Sequence, residues 1–283
     1  MKKKRREKTK IGIVGHGFVG QAMEYLFNVD VQHCVVDPKY KTSVIADLKP
    51  FEPELVFICA PTPSRDDGTI NYDIVEQCIQ DVHFHTDAII VLKSTVTPDH
   101  VERFSSQYYD RFVYNPEFLT ERDAKRDAVN PHMIVLGGDR ELTGEVVDYY
   151  IHSSCGRPAP VFHMSAKEAA YVKYGINTFL ASKIAIFNEL SAHMNRRDGA
   201  NYNRVVNAIG TDPRVGHSHT VVPGYDGKPG FGGACFPKDL TAFINSASSD
   251  EFSILRTVNE SNRAIRSALS LDDREREQNI RFN

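Results

Sequence analysis

Between Lys10 and Phe27 an apolar stretch, Lys10-Ile11-Gly12-Ile13-Val14, runs through Gly15-His16-Gly17-Phe18-Val19-Gly20 into Ala22, Met23, Leu26 and Phe27 at helical spacing. Few segments restrict a fold more. A G-x-G-x-x-G run between a strand and a helix is the turn of a βαβ unit that holds a dinucleotide. The first glycine makes the tight turn and the second lets backbone N–H groups approach a pyrophosphate. The third lets the helix pack on the strand, and the helix N-terminus faces the anion. The next apolar run, His33-Cys34-Val35-Val36, ends at Asp37, 22 residues past Gly15. An acid there accepts from the adenosine 2′-hydroxyl and repels a 2′-phosphate, which favours NAD over NADP, although Lys39 and Lys41 weigh the other way.

Further apolar runs follow. Leu55 to Ala60 ends in Pro61-Thr62-Pro63, and Ala88 to Leu92 ends in Lys93-Ser94-Thr95-Val96; Phe112-Val113-Tyr114, His132 to Leu136 and Val161-Phe162 complete the set. Strands alternating with helices predict an α/β, Rossmann-type domain with a parallel sheet over 10–164, after a basic tail at 1–9. Such sheets bind ligands outside the carboxyl ends of their strands. Thr62, Ser94 and Thr95 are therefore expected to touch cofactor or substrate; for Ser94 and Thr95 a helix cap is the plainer alternative. In Asn115-Pro116-Glu117-Phe118-Leu119-Thr120-Glu121, the two glutamates are i, i+4 and share a face if the loop continues into a helix. They are candidates for acid/base work and a cofactor contact, or simply surface carboxylates.

The second part, 165–271, reads as all-helical. Ser165-Ala166-Lys167-Glu168 is a capping box. Beyond it, Ala169, Val172, Ile176, Phe179, Leu180, Phe187, Leu190 and Met194 recur at helical spacing to about Asn195. A helix of that length suits a domain junction or a dimer interface. Lys173 and Asn177, i, i+4 beside its apolar stripe, can donate to a developing oxyanion, or else the lysine snorkels and the amide is solvated. A short helix around Val205 to Ile209 is expected to stop at Gly210. His217 and His219 lack a third metal ligand, and no metal is expected. Then comes Pro229-Gly230-Phe231-Gly232-Gly233-Ala234-Cys235-Phe236-Pro237-Lys238-Asp239. A lone thiol at a helix start, beside a lysine and after three glycines, has the surroundings that favour thiolate. A buried, inert cysteine after a tight turn is the alternative. A last helix, Phe252 to Leu269, leads to a charged tail at 272–283.

Composition narrows the function classes. Met1 to Lys10 holds seven basic residues and one Glu ahead of an acidic remainder, a poor pattern for nucleic-acid binding. Five cysteines, odd in number and without paired or metal-ligand spacing, fit a reduced, cytoplasmic compartment. No apolar run is long enough for a membrane span, and no signal peptide is expected.

With GHGFVG, VFICAPTP, KSTVTP, NPEFLTE, the long helix and GFGGACFPKD in that order, the chain resembles the UDP-glucose/GDP-mannose dehydrogenase family from Lys10 to about Leu269. The resemblance implies oxidation of a nucleotide sugar's primary alcohol, UDP-glucose in the first instance, to the uronic acid with two NAD. It implies Cys235 as the nucleophile that forms a thiohemiacetal and then a thioester. Lys173 and Asn177 would stabilise the oxyanions, Asp239 would orient Lys173 and a water, Glu117 would be the acid/base, and Thr95 would hold that water. Cofactor contacts would come from Gly15, His16, Gly17, Phe18, Val19, Gly20, Asp37, Lys41, Cys59, Pro61, Thr62, Ser94, Thr95, Val96 and Glu121. Substrate contacts would come from Glu117, Phe118, Leu119, Lys173, Asn177, Arg214, Phe231, Gly232 and Gly233. Family members continue into a third, nucleotide-binding domain that this chain is expected to lack, leaving a separate polypeptide as one possible supplier; a homodimer is expected. The alternatives are a two-electron hydroxyacid dehydrogenase, for which Cys235 would be dispensable, and an NAD-binding protein without turnover.

Overall fold

The computed structural model describes residues 8–39, 43–120, 122–197 and 199–282. These form two compact units, one of residues up to Thr62 together with Asn71–Lys173, the other of Pro63–Ile70 and Tyr174 onward.

The first unit is built on seven strands: β1 Thr9–Val14, β2 Val31–Val36, β3 Leu55–Ile58, β4 Ile89–Leu92, β5 Phe112–Tyr114, β6 Ile134–Gly138 and β7 Val161–Met164. They lie in the order β2-β1-β3-β4-β5-β6-β7. The first five pair in parallel, as expected for apolar runs buried on both faces. The sheet is not wholly parallel, because β6 pairs antiparallel with β5 while β7 runs parallel to β6. Helices α1 Phe18–Leu26, α2 Leu48–Phe51, α3 Asp73–His85, α4 Pro98–Gln107, α5 Ala124–Val129 and α6 Arg140–His152 connect the strands. Ala22, Met23, Leu26 and Phe27 close one core over Ile11, Ile13, Leu55, Phe57, Val91 and Val113.

Helix α7, Ala166–Arg197, begins in this unit. Its start is fixed by the expected capping box: the Ser165 N–H donates to Glu168 at 2.8 Å and the Glu168 N–H to the Ser165 hydroxyl at 3.2 Å. It is also pressed against β6, where a Cβ on Gly137 would lie 2.7 Å from Ala166 Cα and 2.8 Å from Ala169 Cβ. That anchorage, two turns ahead of Lys173, determines where the lysine emerges.

The second unit holds the rest of α7 with α8 Tyr202–Thr211, α9 Phe236–Asn245, α10 Ser253–Arg266 and α11 Asp273–Glu277. Small side chains on α7, Ala181 and Ala185, admit Phe231, Leu240 and Ile244. Helix α8 runs through Gly210 rather than stopping there. The glycine serves packing instead, since a Cβ would collide with the His217 ring. The charged stretch after α10 folds as α11 and leads to buried Ile280 and Phe282. It also pairs with the 63–70 segment: the Ser64 N–H donates to the Gln278 carbonyl at 3.0 Å and the Asn279 amide to the Ser64 carbonyl at 2.9 Å.

Candidate active site

The glycines of the first turn separate into three physical roles. Gly15 has φ +88°, and a Cβ there would sit 2.6 Å from the Cys59 carbonyl oxygen. Only glycine fits that conformation and that wall. A Cβ on Gly20 would overlap the Gly15 carbonyl oxygen, so α1 lies directly on the turn. Gly17, the N-cap of α1, has nothing within 4 Å of a Cβ position. Its backbone is open to an approaching group, at the positive end of a helix. Beside it, Asp37 accepts the His16 N–H at 2.6 Å and the Lys39 N–H at 2.8 Å. An open helix N-terminus and a carboxylate at the end of β2 fit the pyrophosphate and ribose of NAD. Phe18 is exposed and Val19 half-buried on the first turn of α1. Lys41 and Glu121 lie outside the described residues.

At the ends of the next strands, Cys59 closes β3, and burial pushes its thiol up to about 12. Pro61 is exposed and Thr62 buried. Ser94 does not cap α4, whose N-cap is Thr97. Its hydroxyl donates to the Ala60 carbonyl at 2.7 Å and ties the end of β4 to that of β3. Thr95 is half-buried and Val96 fully buried.

Glu117 stands in an irregular segment, not on a helix; α5 starts only at Ala124, so the i, i+4 spacing to Glu121 does not place the two on one face. The physical reason is Asn115-Pro116, which holds the chain extended after β5. Glu117 is nonetheless buried and meets Lys173. The Lys173 ammonium, 3% exposed, donates to Glu117 Oε1 at 2.9 Å and to the Glu117 carbonyl at 2.7 Å. The other carboxylate oxygen accepts the Leu119 N–H at 2.6 Å. The Phe118 ring lies 5.6 Å from the ammonium. A lysine beside the apolar stripe has thus been drawn inward to a carboxylate rather than snorkelling out. Glu117, Phe118, Leu119 and Lys173 form one cluster within the first unit.

The second unit holds the remainder of the α7 pattern. Asn177, one turn beyond Lys173, is buried and donates to Asp239 Oδ2 at 2.7 Å. Asp239, 1% exposed, takes Lys238 on its other oxygen at 2.7 Å. Asp239 belongs to the first turn of α9, whose N-cap is Cys235. The Asp239 N–H donates to the Cys235 carbonyl at 2.8 Å. The thiol is half-buried and unpaired with any other cysteine, at the positive end of a helix where thiolate is favoured.

The loop before Cys235 is held more tightly than its glycines suggest. Gly230 and Gly233 have φ +77° and +79°. The Gly230 N–H donates to Asn188 at 2.8 Å, while Asn262 accepts the Phe231 N–H at 2.7 Å and donates to its carbonyl at 2.9 Å. Glu275 Oε1 accepts the Gly233 N–H and the Arg266 guanidinium, each at 3.1 Å. A Cβ on Gly232 would fall inside both of those side chains. Arg266, also bonded twice to Asp226 at 2.7 and 2.8 Å, is fully buried. Sequence reasoning missed Asn262, Arg266 and Glu275. An apolar-patterned helix with an internal Asn and Arg was the available signal, whereas nothing local marks Glu275. Phe231 packs its ring into the core, leaving its backbone to the loop. Arg214 is exposed and bound to Asp212.

A dinucleotide fold with a helical unit that buries a lysine and an amide one turn apart defines the class of two-part dinucleotide-binding proteins. More specifically, the chain belongs to the UDP-glucose/GDP-mannose dehydrogenase family. Residues 23–152 match the family's NAD binding domain and 167–264 its central domain. The first unit is therefore an NAD-binding domain. The UDP-glucose 6-dehydrogenase of Rickettsia bellii is 32% identical over 220 residues, 74% of this chain and 49% of that protein. The UDP-glucose 6-dehydrogenase YwqF of Bacillus subtilis is 31% identical over 219 residues, 72% of this chain and 47% of that protein. The chain spans about half the length of the curated relatives it matches. A solved UDP-glucose dehydrogenase from Pyrobaculum islandicum superposes with a TM-score of 0.77 at 27% identity, covering 92% of this chain and 69% of that one.

Proposed function

We propose that the chain carries the chemistry of an NAD-dependent nucleotide-sugar dehydrogenase, oxidising the primary alcohol of UDP-glucose to the carboxylate of UDP-glucuronate. One observation carries this reading most. Successive turns of α7 bury a cation on Glu117 and an amide on Asp239, and Asp239 stands one turn after a cysteine at a helix N-cap. NAD, when bound at the open start of α1, supplies a two-electron acceptor, used twice per sugar.

The side chains divide the remaining work. The Cys235 thiolate adds to the aldehyde carbon and its oxygen becomes the alkoxide of a thiohemiacetal, so the aldehyde is not released. Oxidation of that adduct leaves a thioester. Lys173 and Asn177 donate to the oxygen that carries developing charge, each fixed in advance by a buried carboxylate. Asp239 holds the Asn177 amide and the Lys238 ammonium. Glu117 takes the proton of the water that attacks the thioester, and Thr95 helps hold that water. Hydrolysis breaks the C–S bond, releases the carboxylate and returns the thiolate.

Purified chain mixed with UDP-glucose and excess NAD is expected to form two NADH per sugar, read at 340 nm, and Cys235→Ser to lose sustained turnover. One NADH per sugar in the wild type would sink the four-electron reading. Tyr171, Phe179 and Ile186 recur on one side of α7 at 49%, 65% and 63% exposure, and we propose that a second copy covers them in a homodimer. No described helix is long and apolar enough to cross a membrane. The absence of paired cysteines among the described residues suits a reducing compartment such as the cytoplasm.

A further inference from the structure

Lys93 continues β4 past its last residue and is 4% exposed. Its N–H donates to the Ile58 carbonyl at 2.9 Å, which fixes its backbone to the end of β3. Its ammonium donates to Asn115 Oδ1 at 2.8 Å. The same oxygen accepts the Tyr150 hydroxyl at 2.6 Å, and the Asn115 amide donates to the Val135 carbonyl at 2.7 Å. Four elements of the first unit thus hold one amine at the carboxyl ends of its central strands, where such sheets bind ligands. Two residues past Asn115, Glu117 carries Lys173.

The charged and titratable groups that face Lys93 are Cys59 from the end of β3, Glu117 from beyond β5 and Lys173 from α7, with the Tyr150 hydroxyl of α6 on its shared oxygen. A neutral amide oxygen is a weak partner for a buried ammonium, and an apolar side chain of similar length fills such a space without the desolvation cost. Burial accordingly pulls this amine down to about 8. A costly second cation has thus been placed within electrostatic reach of the Lys173–Glu117 pair.

We propose that Lys93 is a positioning residue for the reaction: its ammonium, oriented by Asn115 and Tyr150, sets the potential at the Lys173–Glu117 pair and with it the pH range of turnover. This inference rests on the roles given above to Lys173 and Glu117. Removing one positive charge makes neighbouring protons easier to retain, so both limbs of the activity profile move to higher pH.

The test measures kcat against pH from 6 to 10 for wild type, Lys93→Met and Lys93→Arg, with far-UV circular dichroism to check folding. The Met variant is expected to shift both limbs upward by about 0.5–1 unit. The Arg variant, charged throughout, is expected to keep the wild-type acid limb. A second readout needs no substrate: lysine labelled at Cε with ¹³C, its Lys173 signal assigned by loss in Lys173→Met. Its titration midpoint is expected to rise in Lys93→Met. A lowered kcat with an unmoved profile and an unmoved Lys173 midpoint would reduce Lys93 to a structural role and overturn the proposal. If no nucleotide sugar is oxidised at any pH, the functional reading fails, while the Lys173 midpoint still decides whether Lys93 governs the pair.

Discussion

At the scale of single residues, much turns on what burial does to charged groups. Lys173, Lys238, Asp239, Glu117 and Arg266 are all buried, and each has a charged partner within 3.1 Å. Removing one partner leaves the other uncompensated, which costs far more than the pair is worth. Asn177→Ala is therefore expected to lower kcat about 100-fold through loss of an oxyanion donor, with a smaller loss of thermal stability as Asp239 gives up a hydrogen bond. A drop in stability alone, with kcat intact, would contradict that role. Lys93 gives a second residue-scale expectation. Its folded-state value lies below that of an unfolded lysine, so between pH 8 and 10.5 the unfolded chain binds more protons. Stability therefore gains with rising pH across that window, by about 3 kcal/mol. Cys59 opposes this above pH 9, because its raised value makes the unfolded thiol ionise first. The difference between wild type and Lys93→Met in urea melts isolates the lysine's contribution. Parallel curves for the two proteins across that window would refute it.

At the scale of elements, the glycine turn was legible because each glycine answers a backbone demand that no other residue meets. Gly17 differs from its neighbours: the space around it is empty, so an added methyl disturbs a ligand but not the fold. Gly17→Ala is expected to leave the melting temperature within about 2 °C and to weaken NAD binding at least tenfold by calorimetry. Gly20→Ala is expected to fail to fold stably. Equal effects from the two would contradict the separation of roles. The capping box at Ser165 and the burial of Lys173 and Asn177 beside the α7 stripe were also readable, since helical period and local capping are short-range. The reversal of β6 was not, because strand direction is decided by connections rather than by apolar content. The irregular course of 115–120 was missed for a related reason: Glu-x-x-x-Glu suggests a helix face, while Asn115-Pro116 forbids one locally.

At the scale of the molecule, long-range contacts carried what the sequence could not. The pairing of 63–70 with α9 and the 278–281 stretch, through Asn245, Asn279 and the Arg281–Asp66 ion pair, joins residues more than 170 positions apart. Glu275, in what composition marks as a charged end, sits against the Gly233 N–H and buried Arg266. Glu275→Ala is expected to destabilise the second unit by about 2 kcal/mol, and Glu275→Gln, which keeps an acceptor, by less. Association is testable at the same scale: Phe179→Asp is expected to convert a dimer to a monomer in analytical ultracentrifugation, and a monomeric wild type would refute the covered α7 face.

The most direct test of covalent oxidation at Cys235 is to stall it before hydrolysis. Glu117→Gln, incubated with UDP-glucose and NAD and quenched in acid, is expected to show by intact mass and peptide mapping a UDP-glucuronyl thioester on Cys235. NADH formed by that variant with Cys235 unmodified throughout would contradict it.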